Sequence, residues 1–490
     1  MPCRKNMSFR DCELLILRLA VDNIGKKTGK DKIDNPEIKT IIDIVEDFLK
    51  TTKRICYGGT AINNILPLEA QFYDKDVEFP DYDFFSPDPL NDAKKLADIY
   101  YNKGFTEVEA KAGVHAGTFK VFVNFIPVAD ITFCAPELYR KIKQTSIVVG
   151  GIFYTPPNYL RMLMYLELSR PAGDVSRWEK VLKRLTLLNK HYPLKGEFCE
   201  NQKIQRLFQY GTKHMKKDNS TKQNHENEEH QLRDIEEDIF TIVRDSLINQ
   251  GCVFFGAFAN KLYLKNLTKL NKQKVPEIPD FDVLSEEPES TAKSLKRNLI
   301  SIGIKNVRVK KRRGVGEVIA PHYEVSVGPE TVAFIYEPIA CHSYNIITTG
   351  GKKMRIATLD TMLSFYLAFA YVKRPYYNEN RILCMSSYLF KVQQKNRLKQ
   401  KGLLKRFSMD CYGKQHTIEK MREDKAEMFK KLKNKRNSKD YEWWFLRYRP
   451  GDSGAEKKKK RKRKTKKNKK KRRRRRRRTR KKGLLNRLFS

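Results

Sequence analysis

The segment Pro80-Asp81-Tyr82-Asp83-Phe84-Phe85 decides how the whole chain is interpreted. Its aromatic, apolar character predicts a strand, and residues two apart on a strand point to the same face. Asp81 and Asp83 are therefore expected to share one face. Two carboxylates held together repel each other unless a cation lies between them, and hard oxygen ligands of this kind suit Mg²⁺. The segment predicts a strand that presents a metal-binding carboxylate pair.

Two neighbouring segments carry groups that could complete such a site. Upstream, a short strand over 54–57 runs into Gly58-Gly59-Thr60, which offers free backbone N–H groups and a hydroxyl to phosphate at a helix start. Downstream, Asp130 lies between apolar strand residues, where a carboxylate without a role would be costly to bury. A third carboxylate on a neighbouring strand would complete a site for two metal ions that assists phosphoryl transfer.

Each motif alone has an ordinary structural interpretation. An isolated Asp-x-Asp is more often a solvated turn or a sheet edge, and a Gly-Gly turn is equally common. The order of the segments changes that balance. A helix opened by Pro89 and ended by Gly104 follows the aspartates, and strands are expected near 105–110, 118–125 and 128–134. This order predicts an α/β (α+β) fold, with a sheet that helices cover on one face.

The pattern occurs twice along the chain. The matching segments are Gly58-Gly-Thr-Ala61 with Gly256-Ala-Phe-Ala259, Asp81-Tyr-Asp83 with Asp280-Phe-Asp282, Val128-Ala-Asp-Ile131 with Val332-Ala-Phe-Ile335, Gly150-Gly151 with Gly350-Gly351, and Arg170-Pro171 with Arg374-Pro375. Their offsets lie between 198 and 204 residues, which predicts a tandem duplication. Because Phe334 replaces the third aspartate and the second glycine and the threonine are lost, we expect the second copy to be catalytically silent, a scaffold or an RNA surface.

Charge favours a polyanionic partner, with nucleic acid ahead of an acidic membrane surface. The 490 residues carry 100 Lys and Arg against 57 Asp and Glu, a net charge of +43, of which residues 451–490 supply +22. The 40% of hydrophobic residues excludes global disorder. We expect the basic tail to bind RNA without sequence preference. Recognition by a nuclear import receptor and tethering to packaged nucleic acid are the alternatives.

The cysteines and the N-terminus bear on the compartment. The nine cysteines form no C-x-x-C pair, so neither a zinc site nor a disulfide framework is indicated, and the odd count fits a reducing compartment. There is no signal-peptide pattern and no apolar run of about 18 residues. We expect an intracellular or virion-internal soluble protein without a membrane segment.

The segments Tyr57-Gly-Gly-Thr60, Pro80-Asp-Tyr-Asp-Phe84 and Val128-Ala-Asp-Ile131 resemble the polymerase-β-like nucleotidyltransferase superfamily. The duplication, together with Leu168-Ser-Arg-Pro171 and Asp174-Val-Ser-Arg-Trp-Glu-Lys180, narrows the resemblance to the poly(A) polymerase catalytic subunits of large cytoplasmic DNA viruses, the poxvirus and giant-virus type. The likeness covers about residues 10–450. One departure is the 21 residues between Gly59 and Asp81, longer than the usual superfamily spacing, so the loop 60–80 is not assigned by analogy.

The resemblance implies template-independent addition of AMP from ATP to an RNA 3′ hydroxyl, in viral mRNA polyadenylation, with Mg²⁺ or Mn²⁺ as cofactor. It implies Asp81, Asp83 and Asp130 as the catalytic, metal-binding carboxylates, and Gly58, Gly59 and Thr60 as the triphosphate site. The helix after Asp174 presents Arg177, Lys180, Lys183 and Arg184 on adjoining turns. Of these we expect Arg177 and Lys180 to bind nucleotide or RNA phosphates; a solvated helix face is the alternative.

The resemblance also implies partners and a location. Either a homodimer or pairing with a processivity-factor subunit of the cap-methyltransferase type is expected, in the host cytoplasm (viral factory) or in the virion. Two other functions remain open. One is an RNA nucleotidyltransferase with another base preference, since the motif residues do not set the base. The other is a non-catalytic RNA-binding protein on a transferase fold.

We expect six segments along the chain. They are an N-terminal helical segment (1–52), a catalytic nucleotidyltransferase unit with following helices (53–200), a linker with a helix (201–245), a degenerate nucleotidyltransferase-like unit (246–395), a basic helical and strand region (396–450) and a disordered Lys/Arg-rich tail (451–490). Within the basic region, the aromatic residues around Trp443 predict a core strand, with base stacking as the alternative.

Overall fold

A computed structural model of the chain describes residues 3, 6–74, 76–197, 199, 222–267 and 280–451. These residues form two compact units. The first unit takes the described residues within Met1–Thr52, Lys75–Phe133 and Lys425–Ser490, and the second unit takes those within Lys53–Asp74 and Cys134–Asp424. The predicted linker up to residue 221 and the basic tail from residue 452 onward lie outside the described residues.

The secondary structure falls into an earlier and a later series of elements. The earlier elements are α1 (Phe9–Ile33), α2 (Pro36–Thr52), β1 (Ile55–Cys56), α3 (Gly58–Ile65), β2 (Tyr82–Ser86), α4 (Pro89–Asn102), β3 (Val108–Ala112), β4 (Thr118–Val123), β5 (Ile126–Phe133), α5 (Pro136–Gln144), β6 (Ile147–Val149), β7 (Ile152–Tyr154), α6 (Pro157–Leu168) and α7 (Trp178–His191). The later elements are α8 (Lys222–Asn249), β8 (Val253–Phe254), α9 (Ala257–Leu264), β9 (Phe281–Leu284), α10 (Pro288–Ser301), β10 (Val307–Arg312), β11 (His322–Val327), β12 (Glu330–Tyr336), β13 (His342–Thr349), β14 (Lys352–Ala357), α11 (Leu359–Phe369), α12 (Glu379–Lys395), β15 (Cys411–Tyr412), α13 (Ile418–Leu432), α14 (Lys439–Phe445) and β16 (Arg447–Tyr448).

Side-chain caps fix where the first two helices begin. Ser8 Oγ accepts the N–H of Asp11 at 3.1 Å, and Asn35 Oδ1 accepts the N–H of Glu37 at 2.8 Å. Both helices lie within the N-terminal helical segment expected at 1–52. The helix α2 buries one apolar face against the core of the first unit, whereas α1 leaves large apolar side chains such as Phe9, 83% exposed, at the surface.

In the first unit the strands lie in the order β16-β3-β4-β5-β2. The strands β2 and β5 are parallel, and the other neighbours are antiparallel. The helix α4 packs on this sheet through a buried stripe that includes Leu96 and Tyr100. Tyr100 also donates its hydroxyl to the carbonyl of Ile41 in α2 at 2.7 Å, which ties the two helices together.

The predicted duplication is confirmed strand by strand. The order β10-β11-β12-β9 repeats β3-β4-β5-β2, and the order β8-β14-β13 repeats β1-β7-β6. The hairpins between β6 and β7 and between β13 and β14 turn on glycine pairs of the same conformation, with φ of 57° and 83° at Gly150 and Gly151, and 56° and 73° at Gly350 and Gly351. Positive φ at both central residues is the requirement of a tight hairpin turn, which glycine meets without strain. The predicted α/β fold with two tandem copies is therefore confirmed.

Two expectations about local structure are wrong. Trp443 lies on the helix α14, capped by Ser438, and the short strand β16 that follows consists of Arg447 and Tyr448. The cysteines, for which the sequence indicated no disulfides, form three pairs: Cys3–Cys12, Cys199–Cys384 and Cys341–Cys411, with Cα separations of 5.3, 5.4 and 5.2 Å. Partners up to 185 residues apart leave no spacing pattern to recognise. No helix within the described ranges has the length and apolar character to span a bilayer.

Candidate active site

The core packing of β2 decides which face carries the aspartates. Tyr82 and Phe84 point into the core, 3% and 0% exposed, so Asp83 lies on the opposite face with Asp81 two residues before it. In the parallel pairing of β2 with β5, Asp83 is the direct partner of Asp130. Two of the three predicted carboxylate residues thus lie side by side on adjacent strands, and the exposed Asp81 lies immediately before β2.

Asp130 has a charged neighbour that sequence reasoning did not single out. In the antiparallel pairing of β4 with β5, Lys120 is the direct partner of Asp130, and its ammonium group forms an ion pair with Asp130 Oδ2. The Asp130 side chain is 19% exposed and that of Lys120 is 38% exposed, so solvent screens the pair only in part. The signal was in the sequence: Phe119 and Val121 alternate into the core, which puts Lys120 on the face of Asp130.

The donor set suits a divalent metal ion by its chemistry, because carboxylate oxygens are the ligands that Mg²⁺ and Mn²⁺ prefer. In the part of the chain that the structure describes, no three His, Cys, Asp or Glu side chains converge into a ready-made metal cluster. The ammonium group of Lys120 instead offsets the charge of Asp130. The three carboxylates thus suit a divalent metal ion by donor type, and Asp83 and Asp130 also by strand register. In this structure Asp130 forms an ion pair with Lys120.

The predicted glycine turn is the first turn of α3. Gly58 has φ of 76°, a conformation that glycine adopts without steric cost. Tyr57 precedes the helix without a side-chain cap, and the N-terminus of a helix attracts anions. A Cβ atom on Gly59 would lie only 2.5 Å from the Tyr73 hydroxyl. Thr60 is buried, 6% exposed, so its hydroxyl lies inside the turn and not at its surface.

The loop that the resemblance left unassigned folds back onto α3. Asn63 Oδ1, buried within α3, accepts the N–H groups of Phe72 and Tyr73 at 2.7 and 2.9 Å. From α7, Arg184 donates to the Tyr73 hydroxyl at 2.6 Å and lies 5.0 Å from the centre of the Phe72 ring. Its guanidinium nitrogens lie 3.0 Å from where a Cβ of Gly59 would be. A positioned cation therefore lies beside the glycine turn, within the second unit.

The other basic residues of α7 lie elsewhere. Arg177 precedes the helix and its Nε forms an ion pair with Glu167 Oε1 at 3.1 Å, while Lys180 is exposed. Burial raises the pKa of Glu167, although the charge of Arg177 opposes the shift. Of the four basic residues noted on this helix, Arg184 is the one that lies beside Gly59. The position of Arg184 beside Gly59 depends on how the loop around Tyr73 folds, which could not be predicted from the sequence.

The second copy lacks the third carboxylate of the first copy and the lysine beside it. In the parallel pairing of β9 with β12, Asp282 is the direct partner of Phe334, which is 0% exposed. Glu324 pairs with Phe334 across β11 and β12, so that it occupies the position of Lys120. Asp282 is 7% exposed, and a Cβ atom on Gly256 would lie 1.9 Å from its Oδ2. The carboxylate is packed against backbone, with no open space at that point for a ligand.

Residues 43–174 match the family model described as Poly(A) polymerase catalytic subunit. This segment contains the glycine turn and all three predicted catalytic aspartates of the first copy. The resemblance stated from these motifs is confirmed over the matched segment.

Two viral proteins show how far the sequence similarity extends. The "Putative poly(A) polymerase catalytic subunit" of Acanthamoeba polyphaga mimivirus is 37% identical over 166 residues, 32% of this chain and 27% of that protein. The protein of the same description from African swine fever virus (strain Badajoz 1971 Vero-adapted) is 34% identical over 164 residues, 32% of this chain and 34% of that protein. The matched part of the chain spans about a third or less of the length of these curated relatives.

Similarity of fold extends much further than similarity of sequence. The crystal structure of the Megavirus polyadenylate synthase superimposes with a TM-score of 0.71 at 20% identity, over 93% of this chain and 88% of that chain. At this identity the match establishes the fold, and it agrees with the tandem α/β arrangement.

Proposed function

We propose that this chain transfers AMP from ATP to the 3′ hydroxyl of RNA without a template, as a polynucleotide adenylyltransferase. The observation that carries the proposal is the register of Asp83 opposite Asp130 on adjacent parallel strands, with Asp81 two residues before. The family match over residues 43–174, which contain these aspartates, supports it. Viral mRNA polyadenylation is the reaction that the names of the similar proteins suggest.

The carboxylates of Asp81, Asp83 and Asp130 would hold divalent metal, Mg²⁺ or Mn²⁺. A bound metal ion lowers the pKa of the attacking hydroxyl and offsets charge on the phosphoryl group. The protein's own contribution is to fix Asp83 and Asp130 by backbone pairing, so little reorganisation is needed when charge develops. Lys120 supplies a positive charge that limits repulsion between the carboxylates.

The first turn of α3 would bind the triphosphate. Its N–H groups at Gly58, Gly59 and Thr60 carry the positive end of the helix dipole, and Arg184 adds a full charge beside them. Arg177 and Lys180, at the start of α7, are proposed as further phosphate contacts. A guanidinium pinned by the Tyr73 hydroxyl can donate to a phosphate in a fixed direction.

The second copy is proposed to be silent, because an aromatic core stands where the third carboxylate would be. Phe334 packs 4.7 Å from the Tyr376 ring and 5.9 Å from the His322 ring. Its role is that of a scaffold or an RNA surface. We also propose the six segments expected from the sequence motifs, with the catalytic unit at 53–200 and the degenerate unit at 246–395.

The remaining assignments follow from the proposed reaction. RNA and ATP are the proposed substrates, and either a second copy of the chain or a processivity-factor subunit of the cap-methyltransferase type is the proposed partner. The proposed location is the host cytoplasm, in the viral factory, or the virion.

Extension of an RNA primer with each NTP in turn tests the proposal. With ATP and Mg²⁺, or with Mn²⁺ in its place, the primer should lengthen, and a chelator or Asp83→Asn should stop the extension. Extension with UTP in preference to ATP would establish a different base preference. Binding of RNA without extension by any NTP under either metal would establish a non-catalytic protein.

A further inference from the structure

The two copies end their sheets differently. The outer edge of β3 is covered by β16, through the pairing of Arg447 with Lys111 and of Tyr448 with Ala110. The strand β10 is the counterpart of β3, and among the described residues no strand pairs with its outer edge. An uncovered edge strand is usually protected by charged side chains, and β10 is strongly basic.

A groove with a volume of about 510 Å³ lies along β10, lined by residues from both faces of the strand. Arg308 and Lys310 are exposed on it, and because they are two residues apart they point to the same face of the strand. Lys296, from α10, lines the same groove. We call this surface the β10 groove, lined by Lys296, Arg308, Lys310, Arg312, Ser326 and Gly328 among others.

The charge of the β10 groove is unbalanced. Glu324 is the acidic residue in its described lining, and Arg312 already engages it, with Nε 2.8 Å from Glu324 Oε2. Glu324 also accepts the Thr331 hydroxyl at 2.7 Å and is 14% exposed. The pair is internally neutral, which leaves Lys296, Arg308 and Lys310 as three cations without an acidic counterpart in the lining.

At the covered edge of the first copy, the basic side chains have an acidic partner. There Arg447 Nε lies 2.8 Å and Arg449 Nε lies 3.4 Å from Glu109 Oε1. The arginines of that edge have an acidic partner within the protein, whereas Lys296, Arg308 and Lys310 have none in the lining of the β10 groove. Uncompensated cations at alternate positions along a strand suit a ligand that presents negative charges in a row.

We infer that the β10 groove binds the phosphate backbone of single-stranded RNA. Residues two apart on a strand lie about 6.5–7 Å from one another, close to the separation of successive phosphates in an extended nucleic-acid strand. The contacts would be charge contacts to phosphate, so binding would be independent of base sequence. The inference rests on the proposed function, in which RNA is the polyanionic substrate. The competing occupant is an acidic peptide that pairs with the open edge of β10 as an added strand.

The test uses the full chain with Lys296→Gln, Arg308→Gln and Lys310→Gln combined. A matched control carries Lys26→Gln, Lys27→Gln and Lys30→Gln, three exposed lysines of α1. Fluorescence anisotropy measures binding of 20-nucleotide oligo(A) and oligo(U), without ATP or metal, at several salt concentrations. The groove variant should bind both at least about tenfold more weakly near 0.1 M salt, and its salt slope should fall by about 2, because each phosphate contact contributes about 0.7 to the slope. The control should change affinity by less than about threefold.

Further variants and ligands separate charge contacts from loss of structure. The charge-retaining combination Lys296→Arg, Arg308→Lys and Lys310→Arg should restore binding, which a misfolded surface would not. Undiminished RNA binding by the groove variant, or a loss confined to oligo(A), would overturn the inference. The inference would also be overturned if the groove variant no longer bound a poly-glutamate peptide but still bound RNA, since the groove would then be a binding site for protein.

Failure of the inference and failure of the proposed function give different results. AMP incorporation onto a primer of a few nucleotides, measured with the same proteins, reports on the proposed reaction. We expect it to continue in the groove variant, with the weakened binding seen on long RNA. Absence of incorporation in the unaltered chain would reject the reaction and leave the binding measurement valid.

Discussion

Phe334 lies opposite Asp282 in the same register in which Asp130 lies opposite Asp83. The pairing of strands has been kept in both copies while the chemistry of the facing side chain has changed from a carboxylate to a buried ring. The neighbouring position changed as well, since Glu324 stands where the first copy has Lys120. The second copy thus lacks both the third carboxylate and the cation beside it.

The two copies should respond differently to the same substitution. Asp83→Asn should lower AMP incorporation at least about a hundredfold, because it removes a carboxylate that would hold the divalent metal ion needed to offset charge on the phosphoryl group. Asp282→Asn, which keeps the shape of a buried side chain, should change the rate less than about threefold. Primer extension at saturating ATP measures both. Comparable losses in the two variants would contradict a silent second copy.

Lys120→Met should tighten the binding of Mn²⁺ in the absence of ATP and RNA. A partly exposed ion pair is worth about 0.5–1 kcal/mol, so freeing Asp130 should improve metal affinity by about two- to fivefold. Electron paramagnetic resonance of free Mn²⁺ during titration gives the affinity. Asp130→Asn should weaken it, and Lys103→Met, at an exposed lysine of the same unit, is the control. Unchanged or weaker binding in Lys120→Met would show that Lys120 does not compete with metal.

Arg184→Met should raise the Kd for ATP at least about tenfold, because a charge-assisted hydrogen bond contributes about 1.5–3 kcal/mol. Lys183→Met is the matched control: this neighbouring lysine on α7 is exposed and pairs with Glu179 at 2.7 Å. Equilibrium dialysis with labelled ATP measures both variants. Equal effects at the two positions would mean that general charge, and not the place of Arg184 beside Gly59, sets the affinity.

The second unit should lose stability in mild acid because of His342. Burial lowers the pKa of His342 to about 3, and the charge of Arg170 adds to the shift. Below about pH 6.5 the His342 imidazole is protonated in the unfolded chain, whereas in the folded chain it stays neutral down to about pH 3. The free energy of unfolding therefore falls as the pH falls toward 3. At pH 5 the loss is about 2 kcal/mol.

His342→Leu should remove this part of the pH dependence, because leucine carries no proton and has a similar volume. Urea unfolding at pH 7 and at pH 5, followed in both proteins, should show a difference between the two pH values that is smaller by about 2 kcal/mol in the variant. An identical pH dependence would mean that His342 is not responsible.

Trp443→Leu should destabilise the first unit and leave RNA affinity unchanged. The indole ring makes edge contacts with the rings of Phe119 and Phe133, at 5.6 and 5.5 Å. Loss of these contacts should cost about 2–3 kcal/mol in the free energy of unfolding. Thermal unfolding and RNA anisotropy together decide between core packing and base stacking. Weaker RNA binding at unchanged stability would favour stacking.

The strand order and the duplication could be predicted because short motifs mark the strand ends in both copies. The positions of the Asp83 and Asp130 carboxylates could also be predicted, because side chains alternate along a strand and this fixes the face on which they lie. Lys120 could have been found by pairing the predicted strands as a hairpin. Arg184 was among the basic residues named on its helix, but its position beside Gly59 could not be predicted, because it depends on the loop that brings Tyr73 to it.

The other misses have physical causes of the same kind. The cysteine pairs join residues up to 185 positions apart, and only the folded chain shows which ones meet. Around Trp443, clustered aromatic residues favour a strand by propensity, yet Ser438 caps a helix there by accepting the N–H of Tyr441 at 3.1 Å. Local capping and packing against Phe119 outweigh the propensity of the segment.

The pairing of β3 with β16 has a consequence for how the protein is made. Tyr448 pairs with Ala110, so the ribosome adds more than 300 residues between the two strands. At about 5–20 residues per second this takes on the order of 15–70 seconds. The larger part of the second unit, Cys134–Asp424, is translated within that interval. Throughout it the edge of β3 stays open to strands of other nascent chains, so synthesis should depend on chaperone protection until the C-terminal segment emerges.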